Sequence, residues 1–423
     1  METIMARKTS FDIVLKVAER CNLACSYCYY FYQEFDNAKS PPIIRRDVVE
    51  QLARFLSDAA RTTTIDHFNV VLHGGEPLLV KKRYFDEICT YLRSELEGVV
   101  DIDFAIQTNG VLIDDEWIEL FSKHRINAGI SIDGLQDDHD RLRPDKRGRG
   151  SYDRAIAGLR LLQQAVADGK IRSAGVLGVV PAHVSGEAFL KHLIVDLKVN
   201  SPGLNFPRGG WDSADAIEWN ADTEARRDLV VTWLRDHIHP KFSYITHFAD
   251  VFFGMMSDEG AEKLDWKLSR RHHIMTVSSS GEILIDDNLL GLDGDLSQAP
   301  MTIFDSRFVD FLASPAWQQL QQAVDTVPPA CGECVWYRTC RSGNLYNRHS
   351  KAEGFLAHSA LCDSIKVMTE EMATYLLAYK RTTIDELIAR LKTAPTCSAD
   401  SALRDLLGHD PMPLNPVDQE LIP

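Results

Sequence analysis

Between residues 11 and 206 the sequence alternates short apolar runs with amphipathic segments, and few folds accept that pattern. FDIVLKVA (11–18) reads as a buried strand. RDVVEQLARFLSDAA follows it and puts Val48, Val49, Leu52, Phe55 and Leu56 on one helical face. FNVVLHG (68–74), IDFAIQTNG (102–110), INAGISIDG (126–134), AGVLGVVPA (174–182) and the weaker VNSPGLNFP (199–207) repeat the strand signature, with helical segments between most of them. Strands that alternate with helices form a parallel sheet with helices on its faces. About six such units predict an α/β fold, a partial (β/α)6 TIM-like barrel over 11–210, with functional residues at the C-terminal ends of the strands.

Residues 211–300 read as a helical linker with a hairpin region at SSSGEILIDDN (278–288). Residues 301–393 read as short helices and loops around a second cysteine group, closed by C-terminal helices. The segment 394–423, with five prolines and poor periodicity, is expected to be a mobile tail. With 61 acidic against 46 basic residues the formal charge is −15, which repels a phosphate backbone and excludes nucleic acid as a natural partner. No run approaches the roughly 18 apolar residues of a membrane span. METIMARKTS is followed by the charged run FDIVLKVAERC, unlike a signal-peptide core, so a cytoplasmic location is expected.

The nine cysteines are clustered: Cys21, Cys25 and Cys28 near the start, Cys331, Cys334 and Cys340 further on. An odd count without an export signal argues against a disulfide scaffold and for metal. The first group has the spacing C-x3-C-x2-C directly after the first strand. Three thiolates can hold three irons of a cubane cluster and leave the fourth iron open. A structural zinc site would want a fourth Cys or His close by, and the sequence has none there. Cys89, in FDEICTYLRSEL, is expected to be a buried helix residue, and Cys397 receives no role. His272 and His273 read as loop histidines before they read as ligands.

CNLACSYCYY resembles the motif of radical S-adenosylmethionine (SAM) enzymes, with an aromatic, Tyr27, before the last cysteine. HGGEP (73–77), QTNG (107–110) and SIDG (131–134) followed by HDRLRPD resemble the family's strand-end motifs in the same order. The resemblance implies a catalytic [4Fe–4S] cluster on Cys21, Cys25 and Cys28, with SAM chelating its open iron. It implies a SAM pocket of Tyr27, Gly74, Gly75, Glu76, Asn109, Ser131 and Arg143. There Glu76 meets the methionine amine, Ser131 the ribose and Arg143 the carboxylate. Two glycines allow close backbone approach, and an Arg fork suits a carboxylate.

CGECVWYRTC gives C-x2-C-x5-C, with Cys362 after a gap. A four-cysteine zinc site fits that spacing. The segment also resembles the C-terminal SPASM region of peptide-modifying radical SAM enzymes, which holds two auxiliary [4Fe–4S] clusters. This sequence departs from that pattern: Gly281 is in place, but Asp286 and Asn344 stand where cysteines are expected, and no cysteine lies between Cys89 and Cys331. The resemblance therefore implies one auxiliary cluster, on Cys331, Cys334, Cys340 and Cys362, for two [4Fe–4S] clusters in all.

The overall resemblance is to maturases of ribosomally made peptides, including those that build cyclophane cross-links. It implies that SAM is cleaved to a 5′-deoxyadenosyl radical, a side-chain hydrogen is abstracted from a precursor peptide, and a carbon-to-aromatic-ring cross-link forms. A flavodoxin- or ferredoxin-type protein is expected to supply electrons. Two alternatives stay open: a sulfatase-maturase-like oxidation of Cys or Ser, and a cluster-bearing electron-transfer or scaffold protein without turnover. Asp286 is the candidate base for the proton lost after substrate-radical oxidation.

Overall fold

The computed structural model describes residues 9–31, 40–206, 208–238, 245–289 and 301–408. Apolar runs become strands where both sheet faces are covered. β1 (Ser10–Ala18) is almost wholly buried, whereas β2 (His67–Gly74) and β3 (Asp101–Thr108) alternate strictly. β4 (Asn127–Ser131), β5 (Ala174–Val179) and β6 (Gly203–Asn205) follow, with all neighbours parallel from β1 to β6. Between them run α1 (Arg46–Thr62), α2 (Lys82–Leu96), α3 (Asp115–His124), α4 (Gln136–Leu142), α5 (Tyr152–Ala167) and α6 (Gly186–Leu190). The expected face of α1 is the buried one, from Val48 to Leu56, and Cys89 lies fully buried in α2. α3 starts where the Asp114 carboxylate accepts from Trp117 N (3.0 Å), a side-chain cap that satisfies an orphan helix donor.

Beyond β6 come α7 (Ala214–Ala221), α8 (Thr223–Thr232), α9 (Thr246–Met256) and α10 (Asp258–Ser269), then β7 (Ile274–Val277), β8 (Glu282–Leu284) and β9 (Met301–Thr302). The hairpin region joins the main sheet: β7 runs parallel to β1, and β8 and β9 add on antiparallel. The sheet order is β6-β5-β4-β3-β2-β1-β7-β8-β9, so the first strand made is a central one. This parallel-dominated α/β sheet has β6 and β9 at its edges among the described residues.

The remainder is α11 (Phe308–Leu312), α12 (Pro315–Asp325), α13 (Tyr337–Cys340), α14 (Leu345–Arg348), α15 (Cys362–Ala378), α16 (Ile384–Lys392) and α17 (Ala399–Leu407). α17 corrects the expectation of a mobile tail from residue 394. Ser398 caps it, it buries Ala399, Ala402, Leu403 and Leu406, and Thr64 N donates to Leu406 O (2.8 Å). Residues 409–423 of that expected tail lie outside the described residues, as do residues 1–8 of the N-terminal segment. No helix among the described residues is long and apolar enough to cross a membrane.

Candidate active site at the strand ends

β1 runs straight into the loop that carries Cys21, Cys25 and Cys28, and that loop is gripped from two sides. From the end of α4 and the segment after it, Leu142 O accepts from Ser26 N (3.0 Å) and Pro144 O from Ala24 N (2.8 Å). From the end of β2, Gly75 N donates to Ala18 O and Glu76 N to Arg20 O, both at 2.8 Å. A Cβ on Gly74, whose φ is +147°, would sit 2.0 Å from Ala18 O, and one on Gly75 would sit 2.5 Å from Arg20 O. The close approach these glycines permit is to the chain's own exit from β1.

Glu76 is 1% exposed. Its Oε1 accepts from Leu78 N (3.0 Å) and the Thr108 hydroxyl (2.6 Å), and its Oε2 from Asn109 N (2.9 Å). Burial pushes its carboxyl up against those bonds. A carboxylate has about four acceptor positions, so about one is left for a cationic ligand. Asn109 donates to Asn22 Oδ1 (2.7 Å) and stands 3.9 Å from Cys21 Sγ, and the Ser131 hydroxyl accepts from Gln107 (2.8 Å). Arg143 Nη1 donates to the Tyr27 hydroxyl (2.6 Å) and to Asp133 (3.2 Å), and Tyr27 also meets Asp133. The Nε of Arg143 is buried with no hydrogen-bond partner. The residues expected around SAM thus share the end of the sheet that carries the cysteine loop.

Burial raises all three thiols of that loop, Cys21 to about 12. Glu76 and the other two cysteines add to the rise at Cys21, while Arg143 opposes it at Cys25 and Cys28. Among the described residues no group of three or more His, Cys, Asp or Glu is arranged to hold a single metal ion. Three thiols within electrostatic reach of one another, no fourth Cys or His ligand beside them among the described residues and a spare guanidinium nitrogen fit a site-differentiated iron–sulfur cluster with a carboxylate-bearing chelator.

Sequence reasoning missed a second constellation. Lys16 and His73 are in register on β1 and β2, and Lys16 is fully buried. Lys16 Nζ lies 3.0 Å from His73 Nδ1 and 2.5 Å from Asp287 Oδ2, and that carboxylate also accepts from the Tyr29 hydroxyl (2.9 Å). Arg208 lies over the Tyr29 ring (4.8 Å) and donates to Asn288 O (2.8 Å). Burial would raise the Asp287 carboxyl, but the Lys16 ammonium, helped by the Tyr29 hydroxyl, outweighs it and the carboxyl falls to about 2. Burial and then Lys16 hold His73 down to about 3, so its ring is neutral. The available signal was a lysine inside the apolar run FDIVLKVA.

Asp286, the expected base, points elsewhere. Its carboxylate accepts from Asn288 N (3.0 Å) and Asn288 Nδ2 (2.8 Å) and pairs with His272 Nδ1 (2.8 Å). His272 is therefore a partner of Asp286, while His273 packs between Phe11 and Trp317, and burial takes it down to about 3.

In the second cysteine group, Cys331 ends a short helical turn, Cys340 ends α13 and Cys362 opens α15, with Cys334 in the loop between. Cys340 lies within electrostatic reach of Cys331, Cys334 and Cys362, and burial raises it to about 12. After it Arg341, Ser342 and Gly343 are all left-handed (φ 47°, 64° and 83°), which curls the chain around Cys340. Two consecutive non-glycine residues in that region carry strain of order 1 kcal/mol each. Asn344 donates to the Tyr346 hydroxyl (3.2 Å).

Comparison with known proteins agrees with this geometry. The family model described as Radical SAM superfamily matches residues 15–186. A cysteine-type anaerobic sulfatase-maturating enzyme of Clostridium novyi (strain NT) is 22% identical over 399 residues, 88% of this chain and 98% of that one. A serine-type anaerobic sulfatase-maturating enzyme of Klebsiella aerogenes is 37% identical over 164 residues, 37% of this chain and 38% of that enzyme's length. The solved structure of native anSMEcpe with bound AdoMet superposes with a TM-score of 0.70 at 21% identity, covering 87% of this chain and 98% of that chain. The same protein with AdoMet and the Cp18Cys peptide gives 0.69 at 20%, covering 88% and 98%. At such identity these likenesses speak for the fold. The strand-end geometry and the match over residues 15–186 agree: this part of the chain is similar to the radical SAM superfamily, and the protein works as an enzyme.

Proposed function

We propose that the protein is a peptide maturase that joins a side-chain carbon of a precursor peptide to an aromatic ring of the same peptide. The observation that supports this reading is at Asp286, where the resemblance expects a cysteine: its carboxylate is tied to His272 and Asn288, which leaves no first auxiliary cluster in the proposal. Substrate chemistry there rests on side chains and space, with no iron to ligate the peptide. The relatives' names support a peptide substrate: they mature sulfatases, and one solved likeness holds a peptide. They also favour a second reading, oxidation of a Cys or Ser side chain to an aldehyde.

When bound, SAM and the cluster on Cys21, Cys25 and Cys28 supply a radical able to take hydrogen from an unactivated carbon. Glu76 and Arg143 orient that cofactor, one toward an ammonium and one toward a carboxylate. Forming the cross-link removes two hydrogens from the peptide, one by abstraction and one as a proton with a further electron. Cys331, Cys334, Cys340 and Cys362 would hold a second cluster, which when bound would supply an acceptor for that electron. Asp287, not Asp286, is the better placed proton acceptor, because it lies beside Tyr29 near the cysteine loop. Its low pKa is no obstacle, since a ring regaining aromaticity sheds a strongly acidic proton. Lys16 keeps the carboxylate ionised and ready.

Asp287→Asn should leave 5′-deoxyadenosine formation running while modified peptide falls about 10²-fold or more, the usual weight of a general base. Asp286→Asn should leave the ratio of the two products near that of the parent. Mass spectrometry of peptide and nucleoside reads both, and equal loss of the two products in Asp287→Asn would remove the base assignment. The product itself separates the readings: a hydrazide probe traps an aldehyde and ignores a cross-link. Arg143→Ala should weaken SAM binding by about 1.5–3 kcal/mol, the worth of a hydrogen bond to a charged group. Equilibrium dialysis checks it, and unchanged affinity would leave Arg143 a partner of Asp133 only.

A further inference from the structure

The second cysteine group lies among cations that lack anionic partners. Arg348 is 1% exposed. Its guanidinium donates only to backbone carbonyls: Ala357 (3.2 Å), Ala323 (2.9 Å), Thr326 (3.2 Å) and Phe355 (2.6 Å). Arg271, just before β7, donates to Gly343 O (2.7 Å), Cys340 O (3.4 Å) and Leu268 O (3.2 Å), again with no carboxylate. Arg338 and Arg341, which flank Cys340, share one acid, the fully buried Asp265, at 2.8 and 3.2 Å. Four guanidinium groups thus face a single buried carboxylate. Near Cys362, Asp363 and Lys366 act in opposite directions. Burial lowers Arg271 to about 10, and Cys340 is the first group to oppose that drop. Burial also lowers Arg348, opposed by Cys331 and Cys340.

Buried charge without a counter-charge is costly, and carbonyl dipoles compensate it only in part. The missing negative charge is what a tetrathiolate cluster supplies: a [4Fe–4S] core on four thiolates is a net dianion when oxidised and gains one more charge on reduction. Fixed cations beside it stabilise the reduced form more than the oxidised form. In the left-handed run after Cys340, the Ser342 N–H donates to the Cys340 sulfur. We propose that Arg271 and Arg348 are the counter-charges of the cluster on Cys331, Cys334, Cys340 and Cys362 and raise its reduction potential, which makes it an electron acceptor. This rests on the assignment of those four thiols to an iron–sulfur cluster.

The test uses full-length protein with Cys21, Cys25 and Cys28 changed to Ala, reconstituted anaerobically with iron and sulfide, and an EPR-monitored redox titration. Arg271→Gln and Arg348→Gln should each shift the one-electron reduction equilibrium at least tenfold toward the oxidised cluster, a fall of about 59 mV. Arg271→Lys and Arg348→Lys should restore more than half of that shift. A glutamine variant that fails to load its cluster while the lysine variant loads also supports the role. Loaded glutamine variants with the parent potential overturn it, and so does failure of glutamine and lysine variants alike, which marks the arginines as loop staples. Zinc in place of iron in the parent overturns the cluster assignment and this inference with it. A loaded parent with unmoved variants overturns this inference alone.

Discussion

Alanine at Cys21, Cys25 and Cys28 together should abolish 5′-deoxyadenosine formation while the protein stays folded. All three thiols sit on the loop that follows β1, and no other Cys or His close in sequence can substitute. Iron content should fall from about eight to about four per chain, because one cubane is lost and the one on the second cysteine group remains. Metal analysis and nucleoside chromatography measure the two effects separately. Residual 5′-deoxyadenosine would mean that the triad is not where SAM is cleaved. A parent content of about twelve irons would mean that a first auxiliary cluster forms despite Asp286 and Asn344.

The second large effect concerns folding. Lys16→Met should destabilise the protein by about 3–5 kcal/mol, the cost of removing one member of a buried ion pair. The side chains of Lys16 and Asp287 are 0% and 5% exposed, so water cannot replace the lost ammonium. In Lys16→Met the hydrogen bond left to the Asp287 carboxylate among the described residues is that from the Tyr29 hydroxyl. The double variant Lys16→Met with Asp287→Leu should recover most of the loss, since an apolar pair of similar volume removes both desolvation costs. Urea unfolding of the four proteins gives the coupling. A single-variant loss under about 1 kcal/mol would show that water reaches the site after all.

What could be read from the sequence was local. C-x3-C-x2-C, GGEP, QTNG and SIDG each lie at the end of a short apolar run, so chain order alone places them at one end of a parallel sheet. The core face of α1 followed from its periodicity. β7 was not legible, because IMTV is four residues long and follows the charged run SRRHH. Its pairing with β1 is a tertiary choice. The Lys16–Asp287 pair spans 271 residues, and no spacing rule reaches that far. The choice between Asp286 and Asp287 turns on one residue of register after β8, where successive side chains diverge. α17 was readable in hindsight from Ser398 as cap and Ala402, Leu403 and Leu406 at helical spacing, but the prolines around it dominated.

The central position of β1 has a consequence for how the chain is made. One edge of β1 pairs with β2, and the other waits for β7, which ends at Val277. At roughly 5–20 residues per second, a ribosome needs on the order of ten seconds or more to cover that interval. Throughout it, an apolar strand with the cysteine loop at its tip presents unpaired amides, the kind of template on which nascent chains aggregate. Slow translation or scarce chaperone should therefore lower the yield of this protein before any shortage of iron does, and a fusion at the N-terminus that shields this edge should raise it.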